Sequence, residues 1–268
     1  MSDWQPLPAL PDLRRIGTMS LDVETKDGGL LTDHGPGWPW HDGYIAGVSV
    51  AYRAEGALNA HYFPIRHPDS QNFDPAQVFQ WVRDHIAAGV RLVTQNGLYD
   101  FGWLYADAGI SMPAGEQLEE TQALATMVDE NRHRYSLDAL CAWRGLPGKD
   151  DALLREGCAA LGLIPKGKKK FNPASYIWQL PARYVGRYAE QDPASTLLLF
   201  ESLDPVLDRE NTRGAYRLEV DLLPMVHAMR RRGIRIDNAR AERCTASCWR
   251  AATPFWRNWR RNTAPSSV

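Results

Sequence analysis

The 268-residue sequence predicts an α/β fold in which a mixed central sheet is flanked by helices and followed by a C-terminal helical extension. Strand-like stretches gather before residue 96, and from Leu98 onward helical patterns dominate. A hydrophobic content of 44% in a chain of this length is enough to bury a full core.

The first element, RIGTMSLDVET, alternates apolar and polar residues and ends in acidic and hydroxyl groups, as a strand running into a site would. GYIAGVSVAYR and ALNAHYFPI, rich in Val, Ile, Tyr and Phe, are two further strands. Between the first and second lies KDGGLLTDHGPGWPWHDG, a Gly- and Pro-rich loop long enough to be functional or mobile. DPAQVFQWVRDHIAAG carries an Asp cap, a Pro at the first helical position and a terminal Gly, which marks both ends of a helix. VRLVTQ is a buried strand. Helices follow at about 98–108, 120–129, 136–143 and 151–161, then a long one over 181–207, a tail over 212–232 and another beyond Asn238. We place the main domain at residues 1–208 and the helical extension at 209–268. No internal repeat is visible.

A formal net charge of −1 excludes a protein whose whole surface attracts polyanions, so any nucleic-acid contact is local. The clearest basic cluster is Lys166, Lys168, Lys169 and Lys170, a run that more often reads as a solvated loop. Cys141, Cys158, Cys244 and Cys248 form no disulfide framework, and no second pair accompanies Cys244 and Cys248 at zinc-site spacing. No uninterrupted apolar run suits a membrane span, and the opening MSDWQPLPALPD lacks a signal-peptide pattern. These features predict a reducing, cytoplasmic compartment.

Three short acidic motifs carry the chemistry. Asp22 and Glu24 sit two apart on a strand end and therefore share a sheet face, where their like charges repel unless a cation joins them. Asn96 and Asp100 lie one helical turn apart after a later strand. Asp100 stands among Tyr99, Phe101 and Trp103, where an unpartnered carboxylate would be costly to bury. Tyr188 and Asp192 are again four apart in a late helical stretch. Taken singly each is commonplace: DxE as a solvated strand end, Asn96 as a helix cap, YxxxD as a packed tyrosine beside an exposed acid.

In ordered combination, DxET, NxxxD and YxxxD resemble the DEDD exonuclease superfamily, in the DEDDy subclass with Tyr in its third motif and a ribonuclease-H-like (DnaQ-like) fold. The chain is most similar to the proofreading exonuclease domain of family A DNA polymerases. ETQALATMVDENRHRYSLDAL is similar to the helices after the second motif, and LEVDLLPMVHAMRRRGIRID to the segment entering a polymerase thumb, so the resemblance covers about residues 16–237. Only about thirty residues remain, and no palm or fingers are expected. Gln95 departs from the pattern, since many relatives carry His before the Asn.

The resemblance implies that Asp22, Glu24, Asp100 and Asp192 hold two divalent cations, Mg²⁺ with Mn²⁺ able to substitute, and that Tyr188 orients the attacking water. It places Thr25 and Asn96 near the terminal nucleotide. The expected reaction is 3′-to-5′ hydrolysis of DNA from single-stranded or frayed 3′ ends by a two-metal-ion mechanism. Tyr99, Phe101, Lys168, Lys169, Arg183 and Arg187 are candidates to stack on or track the strand. A separately encoded DNA polymerase is the candidate partner. The alternatives are a catalytically weak module bound to such a polymerase, and an exonuclease acting on RNA.

Overall fold

A computed structural model describes residues 3–31, 35–165 and 171–245. Five strands form one mixed sheet: β1 (Thr18–Asp27), β2 (Gly43–Ala54), β3 (Ala57–Pro64), β4 (Arg91–Thr94) and β5 (Leu118–Glu120). Their order is β3-β2-β1-β4-β5, with β1–β2 and β2–β3 antiparallel and β1–β4 and β4–β5 parallel. Around them lie α1 (Pro75–Ala87), α2 (Gly97–Ala108), α3 (Thr121–Val128), α4 (Leu137–Arg144), α5 (Ala152–Ala160), α6 (Ala182–Ala189), α7 (Gln191–Arg209) and α8 (Arg213–Arg232). The mixed, helix-flanked sheet is the one expected.

Strand β1 alternates as its sequence requires. Met19, Leu21 and Val23 are buried on one face, while Ser20, Asp22 and Glu24 share the other. The three apolar residues join a core with Ile45, Val48 and Val50 of β2, Val78 and Val82 of α1, and Phe101 and Leu104 of α2. A register shift between Glu24 and Thr25 marks a bulge, which re-aims the strand where the acidic pair ends. α1 starts as its sequence promises: Asp74 accepts from the Ala76 N–H at 2.9 Å, with Pro75 at the first position.

Two elements depart from expectation. The helix expected from about residue 120 begins at Thr121, and the three residues before it, Leu118–Glu120, form the edge strand β5, whose two acids are buried. The helix expected over 181–207 is broken into α6 and α7 at Glu190. Pro193 explains the break, since it has no N–H to give the carbonyl four residues back and is tolerated in the first turn of a new helix.

The long loop after β1 is held down by Asp27, whose carboxylate accepts from the N–H groups of Gly29 (2.9 Å) and Gly37 (3.0 Å) and from Trp103 Nε1 (3.2 Å). Trp38 then packs face-on against Gly102, where any Cβ would strike the indole at 2.4 Å. The chain forms two compact units, the first running to Arg230 and the second beginning at Arg231. α8 lies almost wholly in the first: Tyr216 donates to Glu119 Oε2 at 2.6 Å and accepts from the Glu120 N–H at 3.0 Å. Residues 238–245 of the second are helical. Among the described residues no helix is long and apolar enough to cross a membrane, and Cys141, Cys158 and Cys244 are free thiols.

Candidate active site

Because β1 and β4 run parallel, their C-terminal ends reach the same edge of the sheet, and the acidic motifs that follow them meet there. Asp22 and Glu24 lie within β1, which runs on to Asp27 rather than ending at the acids as expected, just past the stretch paired with β4, and Asp100 lies in the first turn of α2, immediately after β4. The tight strand-to-helix turn is stapled by Glu120. Its carboxylate accepts from the N–H groups of Asn96 (3.0 Å), Gly97 (2.7 Å) and Gln122 (2.9 Å) and from the Thr94 hydroxyl (3.1 Å). Asn96 adopts the left-handed conformation at φ 69° and its side chain caps nothing. Gln95 faces inward, donating to the Tyr135 carbonyl at 3.0 Å and accepting from the Thr121 hydroxyl.

Asp192 arrives from the opposite layer. The Ser20 hydroxyl, on the same β1 face as Asp22, donates to the Pro193 carbonyl at 2.5 Å and so ties the start of α7 to the acidic strand. As a result, ligand oxygens of Asp22, Glu24 and Asp192 all lie within 4.8 Å of one another. Asp100 lies outside that trio, but its charge acts on Asp22 and its carboxyl accepts from the Val23 N–H. Tyr188, 8% exposed, comes from α6. Sequence reasoning missed Lys149, whose ammonium donates to Asp192 Oδ2 at 2.7 Å and sits 5.4 Å from the Tyr188 ring centre.

Burial raises every acid of the cluster, and repulsion from its neighbours adds to this at Asp22, Glu24 and Asp100. Desolvation pushes Asp22 well up, and Asp100, Asp192 and Glu24 push it further. Glu24 is pushed up to about 8 by burial and then by Asp192. Desolvation and Glu120 hold Asp100 well above the carboxylate range. Asp192 is raised by burial against the opposing pull of Lys149. Burial and the charge of Glu24 raise the Tyr188 phenol. Three carboxylate oxygens, Glu24 Oε1, Asp100 Oδ2 and Asp192 Oδ1, are buried without a hydrogen-bond partner. Unpartnered buried acceptors are costly, and hard all-oxygen donors that repel one another suit a hard divalent cation. The residues present therefore fit such an ion.

Beside the acids a cleft of about 260 Å³ is lined by Glu24, Thr25, Tyr99, Asn172, Ala174 and Ser175. Tyr99 donates to Asp27 Oδ2 at 3.2 Å, so the 2.7 Å contact with Thr25 has the threonine hydroxyl as donor. Next to it, Lys26 lies over the rings of Trp178 (4.9 Å) and Tyr44 (5.6 Å). Thr25 and Tyr99 thus face the cleft, and Asn96 lies outside its lining.

Among the expected substrate contacts, Phe101 needs correction, and Arg187 and Arg183 have partners within the protein. Phe101 is fully buried in the core with Val23 and Leu104, because its position points it under the sheet, and it has no surface to offer a base. Arg187 points to solvent and pairs with Asp3 at 3.0 Å, the two side chains being 60% and 89% exposed. Arg183 stacks on Tyr184 at 4.9 Å. Lys168 and Lys169 lie outside the described residues.

No protein-family model matches the chain. Over 240 residues it is 33% identical to a DNA-directed DNA polymerase of Pseudomonas phage M6, covering 88% of this chain and 34% of that protein. It is 27% identical over 237 residues to the DNA polymerase DpoZ of Acinetobacter phage SH-Ab 15497, with the same coverage of 88% and 34%. The chain spans about a third of the length of these curated relatives. Among solved structures, Brucella melitensis NrnC superposes with a TM-score of 0.50 at 16% identity, over 83% of this chain and 88% of that one.

Proposed function

We propose that this chain, a DEDD-type exonuclease domain with a ribonuclease-H-like fold, hydrolyses nucleotides from the 3′ end of DNA by a two-metal-ion mechanism, with single-stranded or frayed ends preferred. One observation carries the reading: carboxylates 170 residues apart in sequence, Asp22 and Asp192, converge with Glu24 within 4.8 Å, while unpartnered oxygens remain on Glu24, Asp100 and Asp192. Repulsion of that kind is unfavourable in a purely structural cluster and is relieved by divalent cations. The relatives' name, DNA polymerase, favours DNA as substrate and a polymerase, in the same chain or a separate one, as the setting.

In this reading Asp22, Glu24, Asp100 and Asp192 hold two Mg²⁺ ions, with Mn²⁺ able to substitute. Bound divalent ions supply Lewis acidity toward the scissile phosphate and charge relief for its transition state. The chain's own groups do the rest. Tyr188 presents its hydroxyl, kept protonated by burial beside Glu24, to the attacking water and orients it. The cleft formed by Thr25, Tyr99, Asn172 and Ser175 receives the terminal nucleotide, and Asp27 holds Tyr99 from behind. The strand upstream passes Lys26, Tyr44 and Trp178, where an ammonium and two ring faces match phosphate and base.

End-labelled single-stranded DNA, mismatched duplex DNA and RNA, each incubated with Mg²⁺ or with chelator, test the proposal. The expected result is Mg²⁺-dependent release of mononucleotides from the 3′ end of single-stranded DNA and of the mismatched duplex. Preferential cleavage of RNA would move the substrate assignment, and no cleavage in any arm would overturn the reading.

A further inference from the structure

Lys149 lies in the turn between α4 and α5, and this turn is docked on the start of α7 by a reciprocal pair. The Asp150 N–H donates to Gln191 Oε1 at 2.7 Å, and Gln191 Nε2 donates back to the Asp150 carbonyl at 3.2 Å. From that anchored backbone the lysine side chain, 25% exposed, turns inward to Asp192 Oδ2 and lies over Tyr188. It takes one oxygen of Asp192 and leaves Oδ1 without a partner. An ammonium gives up hydration to sit this deep, and only close carboxylates compensate it. Asp192 is 14% exposed at the side chain, so the pair is shielded from the screening that makes surface ion pairs weak.

We propose that Lys149 is a positioning residue that acts as the standing counter-ion of the acidic cluster: it fixes Asp192 as a one-oxygen ligand, holds the metal-free site together, and weakens divalent-ion binding by opposing its charge. This rests on the metal-binding reading of the cluster given above. The two effects of removing the lysine have opposite signs. Without its charge the metal-free acids repel one another with less compensation, so the protein melts lower in chelator. A divalent ion then enters a more negative site, and even with the screening of bulk water, at a dielectric of about 80, the removal of one positive charge about 6 Å away raises its affinity roughly tenfold. A purely structural salt bridge would lose stability with no gain in metal affinity.

The test uses the full chain as wild type, Lys149→Met and Lys149→Arg. Mn²⁺ binding is titrated by the loss of the free-ion EPR signal, and melting is followed in EDTA. Lys149→Met is expected to bind Mn²⁺ roughly tenfold more tightly and to melt lower than wild type in EDTA, while Lys149→Arg restores both values. Unchanged or weaker Mn²⁺ binding by Lys149→Met, an unchanged melt in EDTA, or failure of the arginine to restore them overturns the proposal. If Lys149→Met does not fold, Lys149→Gln takes its place in both measurements. If the wild-type chain itself binds no Mn²⁺, the metal reading of the cluster fails, and the EDTA melts alone decide whether Lys149 is its counter-ion.

Discussion

Replacing Glu24 with Gln removes one negative charge from the cluster while keeping the shape of the side chain, and it should stabilise the metal-free protein. Ligand oxygens of Asp22, Glu24 and Asp192 lie within 4.8 Å of one another, and two unit charges at such a distance repel by roughly 3 kcal/mol at an effective dielectric of about 20. Proton affinity gives a similar figure. The Glu24 carboxyl rises from an ordinary 4.5 to about 8, which at about 1.4 kcal/mol per pH unit is roughly 5 kcal/mol, reduced to roughly 3 by the partial solvent access of the side chain. The sign follows from the direction of the shift. A carboxyl raised in the folded state favours folding while protonated, so the wild type loses this contribution as pH climbs from 4.5 through about 8, whereas the Gln variant does not. At pH 8 in EDTA, Glu24→Gln should melt roughly 6 to 12 °C above wild type. The difference should shrink toward pH 5 and reverse in saturating Mg²⁺, where the wild type gains an ion the variant holds poorly. Scanning fluorimetry across pH 5 to 9, with and without Mg²⁺, measures it. Equal melting at pH 8 in chelator, or the same advantage at pH 5, would refute electrostatic strain in the empty cluster.

Other substitutions probe separate parts of the site. Asp22→Ala with Glu24→Ala should reduce cleavage of labelled single-stranded DNA to background while leaving the far-UV circular dichroism spectrum unchanged. Tyr188→Phe should lower kcat by roughly a hundredfold with little change in KM, and equal changes in both would assign the hydroxyl to substrate binding rather than to water. Glu120→Ala orphans the N–H groups of Asn96, Gly97 and Gln122; urea denaturation should show a loss of roughly 3 kcal/mol or more. Gly47→Ala would set a Cβ 2.2 Å from the Tyr62 hydroxyl, and a loss of roughly 1 to 3 kcal/mol from overpacking is expected in the same assay.

What could be read from residues alone was whatever a short period or a local cap encodes. The alternation around Asp22 and Glu24 placed both acids on one face, and the Asp74-Pro75 start marked α1, as the structure has them. β5 was illegible because three residues carry no period, and LEE looks solvated until Tyr216 and Arg217 of α8 arrive to partner Glu119. Lys149 was missed for a related reason. In GLPGKDD it resembles any polar turn, and only the docking of Asp150 on Gln191 turns it inward. Phe101 erred the other way: it neighbours Asp100 in sequence, yet a helix separates adjacent side chains by about 100°, which sends one to the acids and the other to the core. Asn96 has the residue type of a helix cap, but the capping comes from Glu120 on another strand, and no local pattern announces a partner 24 residues away.

The break at Glu190 assigns two neighbouring groups to different helices. Asp192 belongs to α7, which the Ser20 hydroxyl ties to the strand carrying Asp22 and Glu24, whereas Tyr188 belongs to the shorter α6 on the far side of the discontinuity. The two groups are therefore held by different anchors: the tie of α7 to β1 sets Asp192, while Tyr188 is set by α6, whose Val185 and Ala189 share a buried cluster with it and Tyr62.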